Sequence, residues 1–342
     1  MAYVMRPAER GDLAALLEMA DESGPGFTSL PVDEPRLSER IDLSLKAFAG
    51  NLDNPEYGKY LMMLEDTESG VVAGCSAVKC GVGIDYPFFN YRIITQAQAS
   101  SAAERRFDMD ALILTNEFVG FTEVGTLFLR APHRGSGAGR LLAQSRYLLM
   151  ACDPDRFGSR VLAELRGVVR ENGTTPFWDC LGRHFFRMTF QEADYLSATS
   201  DNQFILDLMP KYPIYVDLLP AEAREVIGRV HSEGVGALKL LEWEGFRFER
   251  VVDIFDGGPM VTAEQRHIRT IRESRIVKLQ AGTPNPETGQ VMLVSNDQLD
   301  GFRSTSTIGE IMDESTYLVP EDVFASLNLA KEATARVWVR AR

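Results

Sequence analysis

The chain has 342 residues, 45% hydrophobic and 25% charged, with a formal net charge of −13. This is a globular composition, long enough for one large domain or two ordinary ones, and its negative balance argues against nucleic-acid or anionic-membrane partners. Four cysteines without a Cys-x-x-Cys pair and four scattered histidines argue against a metal site or a disulfide framework, and the lack of a signal profile or of 18 consecutive apolar residues predicts a cytoplasmic protein.

In chain order, residues 3–6 read as a short strand and residues 7–12 as a turn, with Asp12 as N-cap of a helix over 13–21. Apolar residues at 13, 16, 17 and 20 give that helix one buried face. A Gly/Pro/Ser loop over 23–31 precedes a second helix over 34–48, apolar at 37, 41, 45 and 48. Residues 60–65 and 71–78 read as a hairpin joined by 66–70. Residues 83–110 are irregular, with an aromatic-rich stretch at 85–91. Strands follow over 111–115 and 125–129, then a helix over 139–152 and a buried strand over 160–166. Residues 177–186 and 237–246 are short amphipathic helices running into aromatic strand residues. From residue 275 the texture becomes β-like, in four runs separated by Gly/Pro/Asn/Asp turns. The expectation is an α/β (α+β) fold, a mixed sheet flanked by helices over 1–274, with a small β-rich, barrel-like unit over 275–342.

The strand at 125–129 runs into Arg134-Gly135-Ser136-Gly137-Ala138-Gly139, which opens a helix. Glycines there let the backbone approach a bulky anion, and the free N–H groups and dipole of the helix N-terminus favour a phosphate. Arg140-Leu141 after the last glycine excludes a P-loop, and the glycine spacing is wrong for a dinucleotide fingerprint.

The pattern Arg134-x-x-Gly137-x-Gly139, with the strand before it and the helix after it, resembles the acyl-CoA pyrophosphate loop of the GNAT acyltransferases. Nearly the whole chain is further similar to the arginine N-succinyltransferase family. The match is carried by residues 28–31, 60–66, 87–92, 126–129, 163–167, 176–178, 181–186, 208–215, 226–231 and 253–259. The resemblance implies an acyltransferase with succinyl-CoA as co-substrate and no permanently bound cofactor, acting on the α-amino group of L-arginine. It implies a homo-oligomer, or a hetero-oligomer with a homologous subunit that also acts on ornithine. It assigns a proton-donor role to His231 and a succinyl-CoA contact to Leu127, with Leu129 on the same strand. One departure is Ser232 after His231, where the family commonly has proline.

A histidine titrates near neutrality, which suits proton transfer at His231. His133 neighbours the loop and is the alternative, helping with phosphate or simply exposed. His184 reads as packing in an aromatic cluster, and His267 lies among surface arginines. An arginine acceptor needs carboxylates in bidentate geometry. Glu164, inside an apolar strand, is either such a partner or an ion-pair partner of Arg166 or Arg134. Asp256 either lines the cleft or forms a turn before Gly257-Gly258. Arg92, Arg166 and Lys211 are alternative donors for the succinyl carboxylate.

Overall fold

The structure, a computed structural model, describes residues 3–24, 29–30 and 32–340. Most of the loop expected over 23–31 lies outside these, including Thr28 and Pro31 of the family-like stretch. Ten strands build the main sheet: β1 Tyr3–Pro7, β2 Lys59–Asp66, β3 Val72–Lys79, β4 Asn90–Ser100, β5 Arg105–Thr115, β6 Thr122–Leu129, β7 Arg160–Glu164, β8 Ile214–Tyr215, β9 Arg247–Asp253 and β10 Pro259–Glu264. Their spatial order is β1-β2-β3-β6-β7-β10-β9-β4-β5-β8. Within this sheet only β6 and β7 run parallel.

Helices cover both faces, which explains the continuous apolar run at 60–64. Leu61 and Met63 face α1 (Leu13–Ser23) and α2 (Glu34–Phe48), packing with Leu16, Leu37 and Ile41. Tyr60, Met62 and Leu64 face α3 (Ala138–Cys152) and pack with Leu141, Leu142 and Leu148. The helix Val235–Glu244 and the short helix Arg269–Glu273 cover α3 in turn. There, buried Glu244 accepts hydrogen bonds from Gln144 Nε2 at 3.0 Å and from Thr270 N at 2.8 Å.

The C-terminal strands are β11 Arg275–Ala281, β12 Gln290–Ser295, β13 Ser304–Ile311, β14 Thr316–Val319 and β15 Thr334–Val339. They pair in the order β12-β15-β11-β14-β13, and β12 pairs back to β13, so a five-stranded barrel closes. Closure removes the exposed edges that a small sheet would carry. The barrel is stitched to the main sheet by β13 against β1, where Thr305 Oγ1 donates to the carbonyl of Tyr3 at 2.7 Å.

Three local expectations change. Asp12 does not cap its helix through its side chain; it accepts the Glu9 N–H at 2.7 Å and pairs with Arg6 at 2.8 Å. The charge partner outcompetes the weaker capping bond. Residues 83–110 are not irregular throughout: β4 and β5 form a hairpin of eleven residue pairs, Asn90↔Thr115 to Ser100↔Arg105. Only Asn90–Arg92 of β4 and Ala111–Leu112 of β5 pair with other strands. The outer part, residues 95–100 with 105–108, is largely exposed on both faces, so no alternating pattern marks it. The short strand Thr316–Val319 also escaped the pattern.

Candidate active site

The pairing of β6 with β7 is unusually brief. Only Thr122↔Val161 and Glu123↔Leu162 are joined, although β6 continues to Leu129. On its other edge β6 stays paired with β3 as far as Leu129, and β7 with β10 as far as Glu164. The sheet is therefore open along one seam, with the backbone edge of Gly125–Leu129 on one side and the end of β7 on the other. Such unpaired, facing edges can receive an extended ligand that carries its own amide groups.

The seam leads to the glycine loop. Gly135 has φ +82° and Gly137 φ +89°, values that L side chains adopt only under strain. A Cβ added at either glycine would meet nothing within 4 Å, so space outside the loop is open. Ser136 Oγ donates to the carbonyl of His133 at 2.7 Å and locks the turn from within. Arg134 Nε donates to the carbonyl of Leu129 at 3.1 Å, holding the guanidinium at the end of β6. Ala138 is buried at the start of α3, and Leu129 Cδ2 would lie 3.6 Å from a Cβ at Gly139, so the helix start packs against β6. Leu127 and Leu129 pack toward α3. His133 is engaged by Tyr3, whose hydroxyl lies 3.0 Å from its Nδ1.

The β7 side of the seam holds titratable groups. The segment after Val226 docks on the continuation of β7: His231 N donates to the carbonyl of Arg166 at 2.8 Å. His231 Nδ1 accepts the N–H of Glu233 at 3.3 Å, which leaves the proton of the neutral ring on Nε2. Burial, then the nearby positive charge of Arg166, holds the His231 pKa below the ordinary histidine value. Arg166 Nε is buried with no acceptor among the described residues.

Glu164, the last residue of β7, keeps solvent access yet is crowded by protein, the signature of a crevice floor. That crowding, followed by the charges of Asp253, Glu123 and Asp256, raises its pKa well above the usual carboxylate range. It makes no ion pair with Arg166 or Arg134 among the described residues. Asp256 is differently employed. It is buried, its Oδ2 accepts the Gly167 N–H at 2.6 Å and its Oδ1 the Gly258 N–H at 2.7 Å. Asp253 Oδ1 accepts the N–H groups of Phe255 and Asp256, completing the turn; burial and Asp256 push its pKa up to about 8.

The structure adds Glu123, which sequence reasoning missed. Its Oε1 would lie 3.2 Å from a Cβ at Gly125, so the carboxylate lies over the seam edge. The period of two along β6, which sets Glu123 and Gly125 on one face, was the available signal. Cross-strand from Glu123 stands Lys79, on the rim of a cavity of about 710 Å³ with Arg36, Tyr86, Phe88 and Asn202. Of the other cations considered, Arg92 is committed to Glu117 and to the Glu249 carbonyl, and Lys211 is exposed. His184 is exposed rather than packed, because the helix it sits on turns its apolar side inward through Phe186. Among the described residues no group of His, Cys, Asp and Glu has the arrangement of a metal site, and no helix is long and apolar enough to cross a membrane.

The chain matches the family model described as arginine N-succinyltransferase beta subunit over residues 3–270. It is 45% identical over 301 residues to the arginine N-succinyltransferase of Enterobacter sp. (strain 638), covering 88% of this chain and 87% of that protein. It is 43% identical to the protein of the same name from Citrobacter koseri, with the same coverage. The solved structure of arginine/ornithine succinyltransferase subunit AI from Pseudomonas aeruginosa superposes with a TM-score of 0.89 at 31% identity, covering 100% of this chain and 99% of that one. The chain belongs to the arginine N-succinyltransferase family.

Proposed function

We propose that this member of the arginine N-succinyltransferase family transfers the succinyl group of succinyl-CoA to the α-amino group of L-arginine, giving N2-succinylarginine and CoA. The observation that carries the reading is the open β6–β7 seam, with the glycine loop following β6 on one side and His231, Arg166 and Glu164 on the β7 side. In this reading Arg134, Gly135, Ser136, Gly137, Ala138 and Gly139 hold the pyrophosphate, and the backbone of Leu127 and Leu129 receives the pantetheine arm. Glu164 takes the guanidinium, because a cation relieves the repulsion among the crowded carboxylates. Asp256, with both oxygens on backbone donors, serves the turn that supports Gly167. The division into an acyltransferase unit over 1–274 and a β-rich unit over 275–342 belongs to the same proposal.

The amine nitrogen attacks the thioester carbonyl carbon, and the C–S bond breaks as the tetrahedral intermediate collapses. The amine sheds its proton to solvent, and the imidazolium form of His231 gives its Nε2 proton to the leaving thiolate, the ring then regaining a proton from solvent. Burial pushes the Cys75 and Cys80 thiols up to about 12 and that of Cys180 to about 11, which supports direct transfer over an acyl-enzyme.

A thiol-release assay of the purified chain tests the reading, pairing arginine and ornithine with succinyl-CoA and acetyl-CoA. The fastest release is expected with arginine and succinyl-CoA. Preference for ornithine or for the acetyl donor would overturn the substrate assignment. A second reading has the chain as one subunit of a heteromeric arginine/ornithine succinyltransferase, favoured by the subunit status of the P. aeruginosa relative. No turnover alone, restored by a homologous subunit, is its expected result.

A further inference from the structure

The backbone of β6 carries a defect just where the seam opens. Cys75 pairs with Phe128 and Ala77 with Gly125, so one residue of β3 faces two of β6, Thr126 and Leu127. This is a β-bulge, and a bulge re-aims the strand edge that carries it. Thr126 within it has φ +51° and is only 3% exposed. For a β-branched residue that backbone conformation is unfavourable, and surrounding contacts must hold it.

The holding contacts come from α2. Arg40 Nη2 donates to Thr126 Oγ1 at 2.6 Å, and Arg40 Nη1 donates to the carbonyl of Ser29. Thr126 Oγ1 in turn donates to the same carbonyl at 3.3 Å. Cys75 Sγ contacts the Thr126 carbonyl at 3.7 Å. The guanidinium thus ties three chain segments together on the α1–α2 side of the sheet. Leu127, the next residue, packs toward α3 on the other side.

From this geometry we infer that Arg40 is a positioning residue for acyl transfer: it clamps the strained Thr126 bulge from α2, and so orients the Gly125–Leu127 edge that meets the thioester. The inference rests on the succinyl-CoA reading above, but the clamp itself is a structural claim testable without turnover. Arg40 touches Thr126 Oγ1 and the Ser29 carbonyl, so in this inference its loss acts through the backbone.

The experiment uses Arg40→Ala, Thr126→Gly and the double variant, because glycine adopts positive φ without strain and needs no clamp. Arg40→Ala is expected to lower kcat by about 10-fold or more, with CoA affinity by calorimetry changed less than about 3-fold. Thr126→Gly sets its own reference rate, and adding Arg40→Ala to it is expected to change that rate by less than about 3-fold. A double variant that falls below Thr126→Gly by the same factor as Arg40→Ala falls below the parent overturns the inference and assigns Arg40 a direct substrate contact. Arg40→Lys, which keeps one donor, should fall between the parent and Arg40→Ala, and it serves if alanine prevents folding. A crystal structure of whichever variant folds gives the readout independent of activity. Thr126 with negative φ and a regular β3–β6 ladder is expected, and an unchanged bulge overturns the clamp. If the parent enzyme shows no succinyl transfer, the functional reading fails while this structural test stands.

Discussion

The backbone N–H of His231 donates to the carbonyl of Arg166 at 2.8 Å, and this bond sets a histidine beside an arginine whose Nε is buried with no acceptor among the described residues, on the β7 side of the seam. Burial first, then the Arg166 charge, disfavours the imidazolium. Removing that charge makes protonation easier, so the His231 pKa rises. Arg166→Gln is therefore expected to move the basic limb of the kcat–pH profile, where the imidazolium proton donor is lost, to higher pH. An unmoved limb would detach Arg166 from the titration of His231.

His231→Ala removes the proposed proton donor while leaving the glycine loop untouched. Turnover is expected to fall by roughly 10²–10⁴-fold, the usual worth of a general acid–base group. CoA binding, followed by calorimetry, should persist. Near-parental turnover would take His231 out of the chemistry.

Gly137→Val forces a β-branched residue into φ +89° at the mouth of α3. Strain of about 1–3 kcal/mol at this position would distort the loop and weaken CoA binding by about 10-fold or more. Unchanged affinity for CoA would remove the loop from the cofactor site.

Glu164→Gln keeps the shape of the crevice floor and deletes one charge. The KM for arginine is expected to rise by about 10-fold or more, while that for succinyl-CoA stays within about 2-fold. A rise confined to succinyl-CoA would reassign Glu164 to the donor side.

Glu244 makes a stability prediction. Its carboxyl is buried and its pKa raised, so the folded state holds its proton more tightly than the unfolded chain. The associated stability is present at acidic pH and is lost as pH rises from the ordinary carboxylate range through the raised value. Glu244→Gln should flatten that dependence in urea titrations. Glu244→Leu, which leaves one N–H of Gln144 Nε2 and the Thr270 backbone N–H without an acceptor, should cost about 2–4 kcal/mol.

Much of the plan was legible because local chemistry demanded it. Positive φ at Gly135 and Gly137 needs glycine, so the loop announced itself. The helix at 34–48 appeared at its expected limits because its apolar spacing matches one buried face. The β4–β5 hairpin escaped notice because Thr95–Ser100 has no buried face to impose alternation. Arg40 and Thr126 stand 86 positions apart, and a threonine in a strand gives no sign that its φ is positive.

By itself, then, the sequence determined the elements whose cause lies within a few residues: turns, apolar faces, the glycine loop and the β texture after residue 275. It also carried the family pattern. Only the tertiary structure decided that β6 and β7 part after Glu123, that β12 closes on β13, and that Asp256 spends both oxygens on backbone donors. Those outcomes depend on pairings between distant segments. A strand edge or a carboxylate takes whichever partner the fold brings within about 3 Å, and nothing in its own neighbourhood names that partner.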